Sequence, residues 1–103
     1  MRVHELKVAT MHFPALRSGQ KRFEFRLDDR GFEVGDYLLL RELNEFMVLT
    51  GCWVLVGVTY ILTDSWYSMP KKYVCMSLTD PMASGETPDG FEAYRPHILP
   101  VQQ

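Results

Sequence analysis

The feature that most constrains the fold is a twelve-residue run, Gly51–Leu62, rich in β-branched, aromatic and other apolar residues. Such a run is typical of a long β-strand. Gly57 stands near its middle, where a β-bulge or a sharp bend is expected. The sequence therefore predicts a sheet that bends strongly at this glycine.

Four further segments have the alternation or the apolar character of strands. They are residues 3–9, residues 22–27, Tyr37–Leu43 and Tyr73–Leu78. In the second, Phe23, Phe25 and Leu27 alternate with polar residues, so we expect these three side chains to face the core. The segment Tyr37–Leu43 is apolar enough to be buried on both faces.

A short helix is predicted within residues 10–19. Pro14 suits its first turn, and Gly19 suits the left-handed residue that ends it. With one or two short helices and five mostly antiparallel strands, the chain is predicted to be mainly β and to close as a small β-barrel. The expected core residues are Phe23, Phe25, Leu38, Leu40, Val54, Val56, Val58, Val74, Met76 and Leu78.

The composition changes after the last predicted strand. Residues 80–103 carry four of the six prolines. We therefore predict a barrel domain over residues 1–79 and a proline-rich, partly ordered extension over 80–103. Phe91, Tyr94 and Ile98 in this extension offer a contact for a protein partner.

Composition also limits the setting in which the chain works. No segment has the roughly 20 apolar residues of a membrane helix, and charges occupy the first residues, where a signal peptide would be apolar. We therefore expect a cytoplasmic protein without a membrane partner. Cys52 and Cys75 are expected to be buried free thiols.

The charge pattern indicates a local anion-binding surface. The net charge of −2 argues against a generic basic nucleic-acid coat protein. Five basic residues nevertheless fall within fourteen positions: Arg17, Lys21, Arg22, Arg26 and Arg30.

The segment Gly19–Arg26 reads Gly-x-Lys-x-x-Glu-x-Arg and carries the main candidate site. Glu24 and Arg26 share one strand face, so they can pair or reach the same ligand, and Lys21 precedes them in a turn. In one interpretation they form a polar pocket for a phosphate, a carbonyl or an exocyclic amine. In the other they form a solvated strand face with a surface ion pair.

Three more residues extend this candidate site. Arg30 would enlarge the positive rim, although Asp28 and Asp29 beside it are expected only to shape a turn. Tyr60 and Trp66 would offer aromatic surface for a base; alternatively, Trp66 caps the barrel mouth and Tyr60 belongs to the core. The histidines and cysteines have no metal-ligand spacing, so neither a metal nor a cofactor is predicted.

The Gly-x-Lys-x-x-Glu-x-Arg segment resembles the signature of the ASCH domain family of the PUA-like superfamily. Further segments follow in the family's order: His4–Lys7, the helix ending at Gly19, Asp29–Asp36 and Val58–Leu62. Together they resemble a small stand-alone bacterial and phage branch. The resemblance spans residues 3–78 and implies a PUA-like barrel with the helix plugging or flanking one side.

The resemblance also implies function. Relatives in this superfamily bind RNA or modified bases, so we expect a binding module for RNA or a modified nucleobase. The net charge of −2 argues for a small ligand or a short single-stranded element rather than a long duplex. Some ASCH proteins are amidohydrolases on N4-acylated cytidines, in which the motif lysine acts with a hydroxyl residue three positions on and a later glutamate. Lys21 matches, but position 24 is Glu and the later segment offers only Asp64. An enzyme, with Lys21 and Glu24 as its catalytic residues, is therefore the alternative, and a phage or bacterial protein-interaction factor is a third hypothesis.

Overall fold

A computed structural model describes residues 1–63 and 69–86, which form one six-stranded sheet and a short helix. The helix α1 covers Phe13–Ser18. The strands are β1 Val3–Ala9, β2 Phe23–Leu27, β3 Tyr37–Leu43, β4 Leu49–Thr63, β5 Tyr73–Leu78 and β6 Ala83–Gly85. The prediction of a mainly β fold with a short early helix is confirmed.

The sheet follows the order β1-β3-β4-β5-β2, and β6 pairs with β4. The β1–β3 ladder is parallel, whereas the other ladders are antiparallel. Within the described residues, no backbone ladder joins the two end strands β1 and β2. Side chains cross that gap instead, because Arg26 and Arg30 of the β2 side donate to main-chain carbonyls of β1.

Along its length, the long strand β4 pairs first with β3 and then with β5. Up to Gly57 it pairs with β3, and from Val58 onward it pairs with β5. The register shifts between Val58 and Tyr60, next to the glycine at which the bend was predicted. The Gly57 N–H donates to Thr79 Oγ1 at 2.9 Å, and the Thr79 N–H donates to the Gly57 carbonyl at 2.9 Å. These two hydrogen bonds join Gly57 to Thr79 at the point where β4 changes its partner.

Apolar residues pack on both faces of β3, as its composition predicted. Leu38 and Leu40 belong to the main core, together with helix residues and the inner faces of β4 and β5. Leu39 faces the other way and packs with Trp53 and Leu55. The predicted core members confirmed in the main cluster are Leu38, Leu40, Val54, Val56, Val58, Val74, Met76 and Leu78.

Strand β6 covers the second, smaller cluster. Ala83 packs against it, and Gly85 lies so close to the indole of Trp53 that an added Cβ would be only 2.7 Å from that ring. Residues 83–85 fall in the segment predicted to be an extension, and they complete the sheet. Residues 87–103, with Phe91, Tyr94 and Ile98, lie outside the described residues.

The predicted direction of β2 is wrong. Phe23, Phe25 and Leu27 are 48%, 49% and 44% exposed, whereas Glu24 is only 6% exposed. The alternation itself was correct, but the polar face points inward. The reason is that β2 is an end strand, and at its edge toward β1 the inward-facing Glu24 pairs with Lys21 and Arg26. The neighbouring strand β5 supplies the apolar core residues Val74 and Met76 instead.

Two further features concern the setting of the protein. Within the described part of the chain, no helix has the length and apolar content that spanning a membrane requires. Cys52 and Cys75 are free thiols, as expected, but they are half-buried rather than fully buried.

Candidate functional site

A cleft of about 590 Å³ lies between the two end strands of the sheet. Residues 7–9 of β1 form one wall, and β2 forms the other. Lys21, Glu24, Arg26 and Arg30 line it, so four of the residues predicted to form the site are brought together. The cleft exists because β1 and β2 approach each other without forming a ladder.

Glu24 is the centre of this group. Its Oε2 accepts a hydrogen bond from Arg26 Nε at 2.7 Å, and its Oε1 lies 3.5 Å from Lys21 Nζ. Each carboxylate oxygen therefore faces its own cation. Because the carboxylate is almost fully buried, these ion pairs are screened less than a surface pair would be. The interpretation as a solvated strand face with a surface ion pair is therefore wrong for Glu24.

Two arginines tie β2 and its following loop to the edge of β1. Arg26 also donates through Nη2 to the Lys7 carbonyl. Arg30 donates through Nη1 to the Glu5 carbonyl at 2.8 Å. Both carbonyls lie on the edge of β1 that faces the gap. The guanidinium groups therefore donate to β1 where the backbone N–H groups of a paired strand would otherwise do so.

The turn after α1 positions Lys21. Gly19 adopts a left-handed conformation (φ 85°) and its N–H donates to the Leu16 carbonyl, which ends the helix. The Lys21 N–H donates to the Ala15 carbonyl at 2.9 Å, and Lys21 Nζ donates to the Phe23 carbonyl at 2.9 Å. The ammonium group also lies 4.3 Å from the centre of the Phe23 ring. The lysine is thus fixed between the cleft and the outer face of β2.

Comparison with protein families places the chain. The family model described as a domain of unknown function, DUF3850, matches residues 3–78. The chain belongs to the DUF3850 family. The match includes every residue named above as lining the cleft, whereas β6 follows it.

One relative of this DUF3850 chain comes from Escherichia phage P2 and carries the name "Uncharacterized 12.9 kDa protein in GpA 3'region". It is 44% identical over 41 residues, which make up 40% of this chain and 38% of the phage protein. The match therefore spans well under half of either chain.

A buried Asp36 supports the loop that carries Arg30. Its Oδ1 accepts from the Arg2 N–H at 3.0 Å, and its Oδ2 accepts from the Glu33 N–H at 3.0 Å and lies 2.9 Å from His4 Nε2. Burial acts to raise the pKa of Asp36, but the hydrogen bonds from these three partners and the charge of His4 hold it below its ordinary value. The Arg2 side chain in turn donates to the carbonyls of Arg30 and Gly31.

The sequence indicated only a tight turn at Asp36, because its partners Arg2 and His4 lie more than thirty positions away. His4 is buried against Phe32, with 4.7 Å between their ring centres. The turn role predicted for Asp28 is confirmed, since its Oδ1 accepts from the N–H groups of Gly31 and Phe32.

A second acidic residue, Glu42, lies away from the cleft. It accepts hydrogen bonds from Thr10 Oγ1 at 2.5 Å and Thr50 Oγ1 at 2.8 Å. The bond from Thr10, followed by that from Thr50, lowers the pKa of Glu42 from its ordinary value. This cluster joins the end of β1 to β3 and β4 and is structural.

The remaining predicted site residues lie elsewhere. Tyr60 projects from the outer face of β4, 62% exposed, and does not line the cleft. Trp66 lies outside the described residues. The sequence did not single out His12 or Tyr73, which also line the cleft. His12 fits no metal-ligand spacing, and a lone histidine near a helix start indicates only a structural or solvated residue, whereas Tyr73 indicates only a strand.

Proposed function

We propose that the β1–β2 cleft is a binding pocket for RNA or a modified nucleobase. The observation that carries this proposal is the buried Glu24 carboxylate held between Lys21 and Arg26 at the wall of the cleft. A fixed acceptor between two fixed donors suits a base edge, which presents amino and carbonyl groups side by side.

The cations keep donors for a ligand. A guanidinium group has five N–H donors, and Arg26 directs Nε and Nη2 at the protein. Arg30 adds a second guanidinium group at the rim. These groups suit the oxygens of a base or phosphate, whereas the net charge of −2 argues against long duplex RNA as the ligand.

The resemblance to the ASCH domain supports the same proposal. We propose that the sheet is a PUA-like barrel, closed between β1 and β2 by arginine side chains instead of a ladder. The Gly-x-Lys-x-x-Glu-x-Arg motif would then place its three charged residues at this closure.

Lys21→Ala and Arg26→Ala should each weaken the binding of nucleosides or short single-stranded RNA by about 1–3 kcal/mol, because each removes a charged hydrogen-bond donor from the cleft. Calorimetric titration across modified nucleosides and short RNAs measures the effect. Arg17→Ala is the matched control, since Arg17 belongs to the same basic cluster but packs over Phe13 on the helix, outside the cleft. Both cleft variants should remain folded. Binding that ignores both substitutions would place the ligand elsewhere.

The alternative is an amidohydrolase, favoured by the ammonium group of Lys21 beside a carboxylate. Against it, Glu24 stands where the catalytic ASCH pattern has a hydroxyl residue. Incubation with N4-acetylcytidine should therefore release no acetate above the rate of the Lys21→Ala variant, measured by chromatography of the products. Lys21-dependent release of acetate would establish the enzyme instead.

A further inference from the structure

The outer face of β2, β5 and β4 is an aromatic trough. The ladders align Phe23, Ser77 and Tyr60 in one row across the three strands. The next row is Phe25, Cys75 and Leu62, and Leu27 lies opposite Tyr73 in the third. The small side chains of Ser77 and Cys75 form the floor, and the larger residues of β2 and β4 form the walls, about 10 Å apart at the backbone.

These walls are exposed to a degree that is unusual for large apolar side chains. About half of each β2 side chain and more than half of Tyr60 reach solvent. The Phe25 and Tyr73 rings are stacked, with 5.2 Å between their centres and 28° between their planes. A contiguous exposed aromatic surface of this kind marks an interaction site rather than ordinary surface composition.

Cations stand at both ends of the trough. Lys21 lies over Phe23, and the neighbouring Arg22 is 57% exposed and paired with Asp80, whereas Lys71 and Lys72 precede Tyr73 at the other end. Five residues of β2 separate the two ends, a length of roughly 17 Å. Proteins that bind single-stranded nucleic acids combine aromatic rings, on which the bases stack, with cations that contact the phosphates.

We propose that this outer face binds single-stranded RNA by base stacking. The choice of ligand rests on the proposed function of the cleft. The two surfaces are continuous, since Phe23, Phe25 and Tyr73 belong to the trough and also line the cleft. Lys21 faces both surfaces. If one nucleotide of an RNA strand binds in the cleft, the next nucleotides would therefore pass over the edge of β2 and lie on the trough. Its length of roughly 17 Å accommodates about three nucleotides.

The test compares the nucleoside N4-acetylcytidine with fluorescein-labelled RNA of two, four and eight nucleotides. Calorimetry measures the nucleoside, and fluorescence anisotropy measures the oligonucleotides. Affinity should rise at least tenfold between two and eight nucleotides. Tyr60→Ala should lower the affinity for the octamer about 5- to 150-fold, the range of a lost base stack. It should leave nucleoside affinity within twofold, because Tyr60 lies outside the cleft.

Two further variants control this experiment. Tyr60→Leu keeps apolar area but loses the ring, and it should behave like Tyr60→Ala. Phe46→Ala removes a ring that is 76% exposed, more than Tyr60, from the β3–β4 connection away from the trough, and it should change nothing. Thermal unfolding of each variant confirms that it is folded.

The outcomes separate the two proposals. If nucleosides bind but the octamer gains nothing, or Tyr60→Ala leaves its affinity unchanged, the trough proposal fails and the cleft stands. If the octamer binds through Tyr60 while no nucleoside binds, the trough proposal holds and the cleft fails. If neither ligand binds, both fail. A micromolar dimer that Tyr60→Ala dissociates in sedimentation experiments would show that a second copy covers the face, which also overturns the proposal.

Discussion

Asp36→Asn should lower the free energy of unfolding by about 2–4 kcal/mol, measured by urea denaturation. The aspartate accepts from two backbone N–H groups, one on each oxygen, and one oxygen also contacts His4. An asparagine of the same shape has only one accepting oxygen. In either orientation its amide N–H₂ faces a backbone N–H, of Arg2 or of Glu33, and leaves that partly buried donor without its acceptor.

The acid stability of the protein should change with the same substitution. Because the pKa of Asp36 is lower in the folded chain than the ordinary 3.8, ionisation of this group stabilises the fold above that value. The contribution is lost as the pH falls through the lowered pKa. The wild-type protein should therefore lose part of its stability below about pH 4, and Asp36→Asn should lack that part of the pH dependence.

Asp29→Asn is the matched control, because Asp29 is exposed and its side chain makes a 3.6 Å surface ion pair with Arg30. We expect it to change stability by less than about 1 kcal/mol. Equal effects of the two substitutions would mean that the Asp36 hydrogen bonds do not hold the loop. A parallel titration should show weaker ligand binding by Asp36→Asn, since the loop carries Arg30.

The strands were predictable from sequence because their signals are local. Alternation in β2 and the apolar run of β4 depend only on neighbouring residues. The direction in which β2 faces was not predictable in that way, because burial of Glu24 depends on Lys21, Arg26 and a gap beside β1. Strand β6 was missed since Ala83–Gly85 has no alternation, and its place is set by the flat surface of Trp53.

The candidate site was predictable to the extent that its residues are close in the sequence. Parity along one strand placed Glu24 and Arg26 together, and the motif added Lys21, which the helix-ending turn brings to Glu24. Tyr60 was expected beside them, but β5 lies between β4 and β2, so Tyr60 reaches only the outer face. The strand order that separates them depends on pairings distant in sequence, which composition and spacing do not reveal.

Glu24→Gln should disturb both the fold and the cleft. The glutamine oxygen can accept from either Lys21 or Arg26, but the amide N–H₂ then faces the other cation. Two donors then face each other without an acceptor. We expect a loss of about 1–3 kcal/mol in the free energy of unfolding, less than for a fully desolvated pair, since Lys21 and Arg26 can turn toward water. Nucleoside binding should fall by more than about tenfold, because the acceptor and the orientation of both donors are lost.

A double-mutant cycle makes this prediction specific. Glu24→Gln, Arg26→Gln and the double variant should give a coupling energy of about 1 kcal/mol or more in urea denaturation, because the side chains share a 2.7 Å hydrogen bond. Glu45→Gln, an exposed glutamate in the β3–β4 connection, should leave stability and binding unchanged. Additive effects of the two substitutions would mean that Glu24 and Arg26 act independently. The buried carboxylate would then not organise the cleft, and the donors that line it would have to be positioned by the β1 carbonyls alone.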